Sequence, residues 1–361
     1  MKIKTITCHD VYNPGASLQA YALAAYLKEC GHEVQIIDYK PDYLSRHYSL
    51  TWVPNPRFDR PLIRQLYLLA KLPGRLKARR GLRKQRFDAF RQAYLPLTES
   101  RYHSCDDLRT RCPEADVYIA GSDQIWNPLF PNGKDPAFFL DFVPREKGKF
   151  SYAASFSVDT LSPEDVRRME PMLRRLDAIS VRERSGAALL ARMGLAGTAV
   201  MDPVFLLDNT HWEQLALCPH SRDYILVYDF DQSPLIRTIA QALSRRTGKK
   251  IISVFPMEGA AEVWSDMGPR EFLGAIHNAG IVLSNSFHAT AFSLIFRKEF
   301  YAVNREEAIN TRMRDILTDL RLEDRLISAI PAEGWVDWAA AEPRLACRIA
   351  ESKAFLQSNL S

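Results

Sequence analysis

Apolar and polar positions follow two rhythms along this chain. Lys2–Thr7 reads as a short strand. After the turn Asn13-Pro14-Gly15-Ala16, apolar residues Leu18, Tyr21, Ala22, Ala25 and Tyr26 recur at helical spacing from Ser17 to about Cys30, where Gly31 supplies a stop. Val34–Tyr39, Asp116–Ala120, Lys149–Phe156, Ala178–Arg182 and Ala199–Met201 predict further strands. One intervening helix opens on Ser162-Pro163-Glu164, another ends at Gly194, and Asp202-Pro203 breaks the last strand. The second half repeats the theme. Strands at Tyr224–Tyr228, Lys250–Phe255, Ile281–Ser284 and Phe300–Val303 alternate with helices at Pro234–Arg246, Pro269–Ala279, His288–Phe296 and Glu306–Leu320, and Arg344–Leu356 predicts a terminal helix. Such alternation predicts an α/β fold of parallel sheets with helices on both faces. The pattern divides near residues 205–222, which predicts two Rossmann-like domains facing a cleft, over 1–208 and 209–325, then a tail and helix over 326–361.

The chain has 361 residues, 47% hydrophobic and 25% charged, which is room for two ordinary domains and no mark of global disorder. Its net charge of +5 is unevenly spread. Between Arg57 and Arg91 twelve Lys/Arg stand against two Asp, a net of +10, so the remainder is 36 basic against 41 acidic, or −5. One basic insert in a near-neutral chain disfavours a nucleic-acid binder, which spreads basic residues over a whole face. The insert predicts one or two helices broken at Pro73-Gly74 and contains the apolar run Leu66-Tyr67-Leu68-Leu69. Two readings of it stay open: a solvated helical hairpin, and a patch that rests on anionic lipid headgroups. No signal-peptide pattern and no apolar run long enough to span a membrane are apparent, so a cytoplasmic protein is expected, peripheral at the inner face of the membrane if the insert binds lipid. Cys8, Cys30, Cys105, Cys112, Cys218 and Cys347 form no C-x-x-C pair. Free thiols are expected, and neither a zinc ribbon nor a redox dithiol.

In open α/β sheets ligands bind at the carboxyl ends of strands, beside helix N-termini. Five turns qualify. The first holds Gly15 and Ser17, whose backbone N–H groups suit a phosphate or a sugar hydroxyl; it is equally a tight turn capped by Ser17, and it is not G-x-G-x-x-G. The second, Gly121–Asn127, crowds Ser122, Asp123, Gln124 and Trp126 together. A carboxylate that accepts from hydroxyls and an indole that covers a C–H face would hold a sugar; a capped turn with a buried tryptophan is the bland alternative. The third places Arg182 at a strand end, suited to a bidentate carboxylate or phosphate contact or to a surface pair with Glu183. The fourth is Ser284-Asn285-Ser286, a candidate anion nest ahead of His288. The helix dipole disfavours an imidazolium there, and a bound polyanion would reverse that sign. The fifth, Asn304–Arg314, brings Arg312 as a further cation or as the basic face of a solvated helix.

The stretches NPGASLQAYAL, GSDQIWNP, SYAASF, SVRERSG, MDPVFLL, GPREFL, NSFHATAFSLIF and NTRMRDIL occur in that order, and together they resemble the polysaccharide pyruvyl transferase family from about residue 10 to 325. The resemblance implies a GT-B-like pair of Rossmann-like domains, acceptor side first and donor side second. It also implies transfer of pyruvate from phosphoenolpyruvate to two hydroxyls of a sugar, as a ketal. Surface polysaccharides or their isoprenoid-diphosphate-linked precursors are the implied acceptors, with no metal or nucleotide. By resemblance Arg182 grips the donor and His288 matches the family histidine, with an acid role. Backbone groups at Ser284, Asn285 and Ser286 would hold phosphate, and Asp123 would orient or deprotonate the acceptor. One position departs from the pattern. Many members carry an arginine two residues before the histidine, where this chain has Ser286, so either one donor contact is missing or Arg312 supplies the charge. A nucleotide-sugar glycosyltransferase, with Glu271 or Asp266 for a ribose, and a noncatalytic carbohydrate-binding protein are the competing readings.

Overall fold

Two parallel five-stranded sheets carry the chain. They are seen in a computed structural model that describes residues 1–44, 48–53, 56–218, 221–305 and 310–361, with only the backbone at 56 and 62. In the first sheet β1 (Lys2–Ile6), β2 (Glu33–Tyr39), β3 (Leu97–Tyr102), β4 (Val117–Ala120) and β5 (Gly148–Ser151) lie in the order β3-β2-β1-β4-β5. A two-stranded sheet follows, β6 (Ser180–Val181) beside β7 (Thr198–Ala199). The second large sheet runs β10-β9-β8-β11-β12, from β8 (Ile225–Tyr228), β9 (Ile251–Ser253), β10 (Glu262–Val263), β11 (Ile281–Ser284) and β12 (Glu299–Ala302). The helices are α1 (Pro14–Glu29), α2 (Pro61–Arg80), α3 (Leu82–Tyr94), α4 (Cys105–Thr110), α5 (Pro163–Leu173), α6 (Arg184–Arg192), α7 (Asn209–Leu215), α8 (Pro234–Thr247), α9 (Pro269–Asn278), α10 (Phe287–Ile295), α11 (Thr311–Leu320) and α12 (Trp338–Asn359). Each large sheet has the crossover order of a Rossmann-like unit, as expected. Its central strands are buried on both faces, which is why β8 and β11 are near-continuous apolar runs.

Several boundaries differ from the sequence reading for physical reasons. Helix α1 starts at Pro14, with Asn13 as its cap: the Asn13 side chain accepts from the Ala16 N–H at 3.3 Å, and proline suits the first helical position. Ser17 is therefore inside the helix and is not its cap. Strand β3 was not expected, because its centre is polar and it is a half-exposed edge strand. The basic insert is not broken at Pro73-Gly74. Helix α2 continues to Arg80, and Gly81, extended at ψ 151°, separates it from α3. The carbonyl that Pro73 leaves without a helical donor belongs to Leu69, an exposed residue. Helix α11 begins at Thr311; the expected start at Glu306 lies outside the described residues.

One hydrophobic cluster spans both sheets, and each sheet has a further cluster of its own. Helix α1 buries both sides, and Leu18 and Leu23 join Phe205, Trp212, Phe272 and Phe292 in a continuous cluster. The helix expected at Arg344–Leu356 is present and longer, Trp338–Asn359, and it lies as a strap across the molecule. Helix α12 returns to the first domain, where the Ser352 hydroxyl accepts from the Met201 N–H at 2.8 Å and Arg348 donates to the Ala199 carbonyl at 3.0 Å. All six cysteines are free thiols, and no helix among the described residues is long and apolar enough to cross a membrane.

Candidate active site

The carboxyl ends of both sheets meet where the N-termini of α1 and α10 face each other. A Cβ on Gly15 would lie 2.1 Å from Nδ1 of His288, so only glycine lets the first helix approach this closely. Ser286 caps α10, accepting from the Ala289 N–H, and His288 is the second residue of the helix. The first intrahelical bond is donated by Thr290 to the Ser286 carbonyl, which leaves the N–H groups of Phe287 and His288 unclaimed at a positive helix end.

At the centre stands Asp202, a fully buried carboxylate at the end of the first domain. Its Oδ2 receives an Arg182 N–H at 2.6 Å, lies 3.3 Å from the Ser122 hydroxyl that donates to it, and lies 3.6 Å from His288 Nε2. Burial alone would push this carboxyl up, but His288 and Arg182 together hold it well below the usual carboxylate range. Arg182 also approaches Asp123 at 3.6 Å, and its guanidinium covers the Phe287 ring at 4.6 Å. Arg312 faces the same ring at 5.6 Å. Burial, with the nearby Arg182 charge, lowers the Arg312 guanidinium to about 10, and Asp123 is the first of the carboxylates that oppose this. Arg312 makes no ion pair among the described residues.

These groups are short of partners. Arg182, His288 and Arg312 are more than nine-tenths buried, yet among the described residues Arg182 Nε and one terminal nitrogen, His288 Nε2 and Arg312 Nε have no hydrogen-bond partner. Thr311 Oγ1 and Glu183 Oε2 are likewise unmatched. Buried polar groups are normally satisfied. A cluster of unmatched donors beside two free helix N–H groups suits a small ligand bearing carboxylate or phosphate oxygens.

The other expected site residues divide sharply. Asp123 remains at the cluster, held at φ 72° beyond β4, and the preceding Gly121 is required: its φ is 128° and a Cβ would meet the Tyr152 carbonyl at 2.0 Å. Ser122 is wholly buried and supports Asp202, donating also to the Ala153 carbonyl at 2.8 Å. Trp126 corrects the expectation of a sugar platform. Its indole is 0% exposed, donates to the Phe138 carbonyl and stacks on Phe139, so no face is left for a ligand. Gln124 accepts from Asn127 through its side chain and braces the same loop. Ser17 is buried, with its N–H donated to the Asn13 carbonyl.

The Ser284-Asn285-Ser286 turn is spent internally. Ser284 donates to the Tyr228 carbonyl, its hydroxyl takes the Ser286 N–H, and the Asn285 amide bridges Asp229 and Asp231. The N–H groups of Phe287 and His288, one step into the helix, make no such internal bond among the described residues. The surface pair considered for Arg182 is also corrected. Glu183 turns away, accepting from Ser155 at 2.8 Å and from the Ser157 N–H at 2.9 Å, and Asp202, twenty residues on, is the arginine's partner. Asp202 had been noticed only as a strand breaker. Its signal was an aspartate at a strand end inside MDPVFLL, where it also caps the turn at Pro203–Phe205. Of the ribose candidates, Glu271 caps α9 and pairs with Arg86 at 3.0 Å, and Asp266 is exposed. Among the described residues no group of three or more His, Cys, Asp or Glu side chains is placed to hold a metal ion.

Comparison with known proteins agrees with the motif order. Solved structures of similar overall course include a putative UDP-N-acetylglucosamine 2-epimerase from Listeria monocytogenes, 10% identical, with a TM-score of 0.49 over 96% of this chain and 95% of that one. A glycosyltransferase from Rickettsia africae is 10% identical, with a TM-score of 0.48 over 100% of this chain and 98% of that one. An E. coli heptosyltransferase is 13% identical, with a TM-score of 0.37 over 85% of this chain and 90% of that one. No curated protein sequence matches. The profile of the polysaccharide pyruvyl transferases matches residues 13–307, from the cap of α1 to beyond β12, and the chain thus belongs to the polysaccharide pyruvyl transferase family of transferase enzymes.

Proposed function

We propose that the protein moves pyruvate from phosphoenolpyruvate to two hydroxyls of one sugar, in a surface polysaccharide or its isoprenoid-diphosphate-linked precursor, and forms a cyclic ketal. The observation that carries this reading is the set of Arg182, Arg312 and His288 around Phe287, all buried and all with an unmatched nitrogen. Phosphoenolpyruvate brings a carboxylate and a phosphate, two anions for two guanidiniums and a helix N-terminus. Arg312 takes the part of the arginine that the family pattern has at Ser286. The second domain is then the donor side and the first, through Asp123, the acceptor side. Peripheral association with the inner face of a membrane belongs to the same reading, because a lipid-linked acceptor is held there. The chemistry asks for no metal or nucleotide.

His288 acts as the acid and protonates the methylene carbon of the donor, with Asp202 as its counter-charge. One sugar hydroxyl adds to the electron-poor central carbon and passes its proton through Asp123. The carbon–oxygen bond to phosphate breaks, and the second hydroxyl closes the ketal. One proton ends on the new methyl group and the other on phosphate, so no water is consumed. The test is mass spectrometry of lipid-linked oligosaccharides after incubation with phosphoenolpyruvate. Gain of one pyruvyl unit with release of phosphate is expected. Stabilisation by nucleotide sugars and not by phosphoenolpyruvate in a thermal-shift assay would overturn the donor assignment.

A further inference from the structure

Helix α2 is an anomaly of packing. It runs for 20 residues without one buried residue among those described, and it rests on α3, the short turn Pro56–Phe58 and the carbonyls of Leu50, Thr51 and Trp52, which take hydrogen bonds from Arg64 and Arg75. A helix that buries no face is not stabilised by tertiary packing, the usual source of helical stability in proteins. Its two sides differ. Leu68, Leu72 and Leu76 are half-buried on one, whereas Ile63, Leu66, Leu69 and Pro73 recur every three to four residues on the other and are exposed. Leu66 is 69% and Leu69 65% exposed, and Trp52, Phe58 and Leu82 are open at the ends of the same hairpin. Beside α3 a cavity of ≈ 490 Å³ with mixed walls begins at Leu82 and Arg86 and continues along Leu217, Trp264, Asp266 and Glu271.

Charge says what covers this stripe. Lys77 and Arg80 fall on the same side of the helix in its last turns. Neither makes an ion pair among the described residues, although carboxylates are plentiful elsewhere on the surface. An exposed apolar stripe bordered by free lysines and arginines is the signature of a helix lying in the interface of an anionic bilayer, with leucines below the headgroups and cations among them.

The hairpin is also tied to the site. From α3, Arg83 donates to the Tyr12 carbonyl at 2.7 Å and Asp88 accepts from the Tyr12 hydroxyl at 3.2 Å. Tyr12 immediately precedes the Asn13–Gly15 turn that abuts His288. From the same helix Arg86 reaches the second domain, at the Asp266 carbonyl and Glu271. A bilayer that holds α2 would hold both lips of the site at its surface.

We propose that α2 is an interfacial anchor that seats the protein on anionic lipid through Ile63, Leu66 and Leu69, with Lys77 and Arg80 among the headgroups. The inference deepens the lipid-linked acceptor reading, but its test needs neither donor nor acceptor. Full-length protein is floated with phosphatidylcholine vesicles with or without phosphatidylglycerol. Wild type should float with the anionic vesicles and be released by raised salt. Leu66→Glu with Leu69→Glu, and separately Lys77→Glu with Arg80→Glu, should each lower partitioning about tenfold or more. Both variants should keep wild-type circular dichroism and phosphoenolpyruvate binding by calorimetry, since these side chains touch neither core nor site. Wild type that stays with the soluble fraction overturns the proposal, as does a leucine variant that floats unchanged. So does light scattering that finds a dimer broken by the leucine substitutions, with no flotation of either form; the stripe would then be covered by a second copy. A failed donor assignment would appear in phosphate release and leave flotation untouched.

Discussion

Two buried histidines sit beside aspartates at the strand ends of this protein, and they are not equivalent. His9 follows β1, with Nε2 3.0 Å from Asp38 and Nδ1 3.3 Å from the Thr7 carbonyl, so both nitrogens are used. Asp38 in turn receives Arg101 at 3.1 Å and lies 3.5 Å from Lys40. His288 lies 3.6 Å from Asp202, and its Nε2 has no hydrogen-bond partner, like nitrogens of Arg182 and Arg312 beside it. The first pair is a closed network and reads as structure. The second is open on one side, and an unmatched buried polar group costs about 1–3 kcal/mol. Several such groups gathered at one point indicate a place kept for a ligand.

The strongest test of that contrast exchanges each histidine for alanine. His288→Ala should lower turnover by about 10²–10⁴-fold while its thermal unfolding stays close to wild type. His9→Ala should leave turnover near wild type and lower stability by about 1–3 kcal/mol, measured by urea unfolding. Equal losses of activity in the two variants would erase the distinction.

A smaller effect separates the two arginines. Arg182→Met strips Asp202 of its ion-pair partner and should cost about 3–5 kcal/mol of stability, as breaking a buried pair does. Arg312→Met removes a cation that has no carboxylate partner, so stability should hold or rise. Donor affinity should fall about 10–100-fold by calorimetry, the worth of a charge-assisted hydrogen bond. Unchanged donor binding in Arg312→Met would remove it from the site.

The smallest effect is in acid, where the two regions should behave alike. Burial pushes the Asp38 and Asp202 carboxyls up, but His9 in one case and His288 with Arg182 in the other pull them well below the ordinary range. A carboxylate depressed in the folded state contributes stability that is complete above its unfolded pKa of about 4 and is lost as pH falls through the lower folded value. Asp38→Asn and Asp202→Asn should each be less stable at neutral pH and show a shallower loss below about pH 4. Only Asp202→Asn should also lose turnover at neutral pH. An acid limb as steep as wild type in both variants would show that neither carboxylate is held in this way.

Much of this was legible before any fold was seen. The strand at Ile281–Ser284 has the expected bounds, because a fully buried parallel strand leaves an unmistakable apolar run. Edge strand β3 left no such run, since half of it faces water. Gly15, Asp123, Arg182, His288 and Arg312 were all picked from turns after strands, and they do converge. Asp202 escaped because its role depends on Arg182 and His288, twenty residues before it and eighty-six after it, and no local spacing encodes that meeting.

Periodicity, turn residues and motif order thus determined the two parallel sheets, the family and a short list of candidate site residues, because each is written in neighbouring positions. The tertiary structure decided which side of each turn faces the site. It sent Trp126 into the core, spent Ser284 and Asn285 on internal hydrogen bonds, and gave Arg182 to Asp202 rather than to Glu183. It also left α2, the first helix of the +10 insert, with a bare apolar stripe. A sequence states what a residue can pair with; only the packing of distant segments fixes what lies opposite it and which polar atoms are left without a partner.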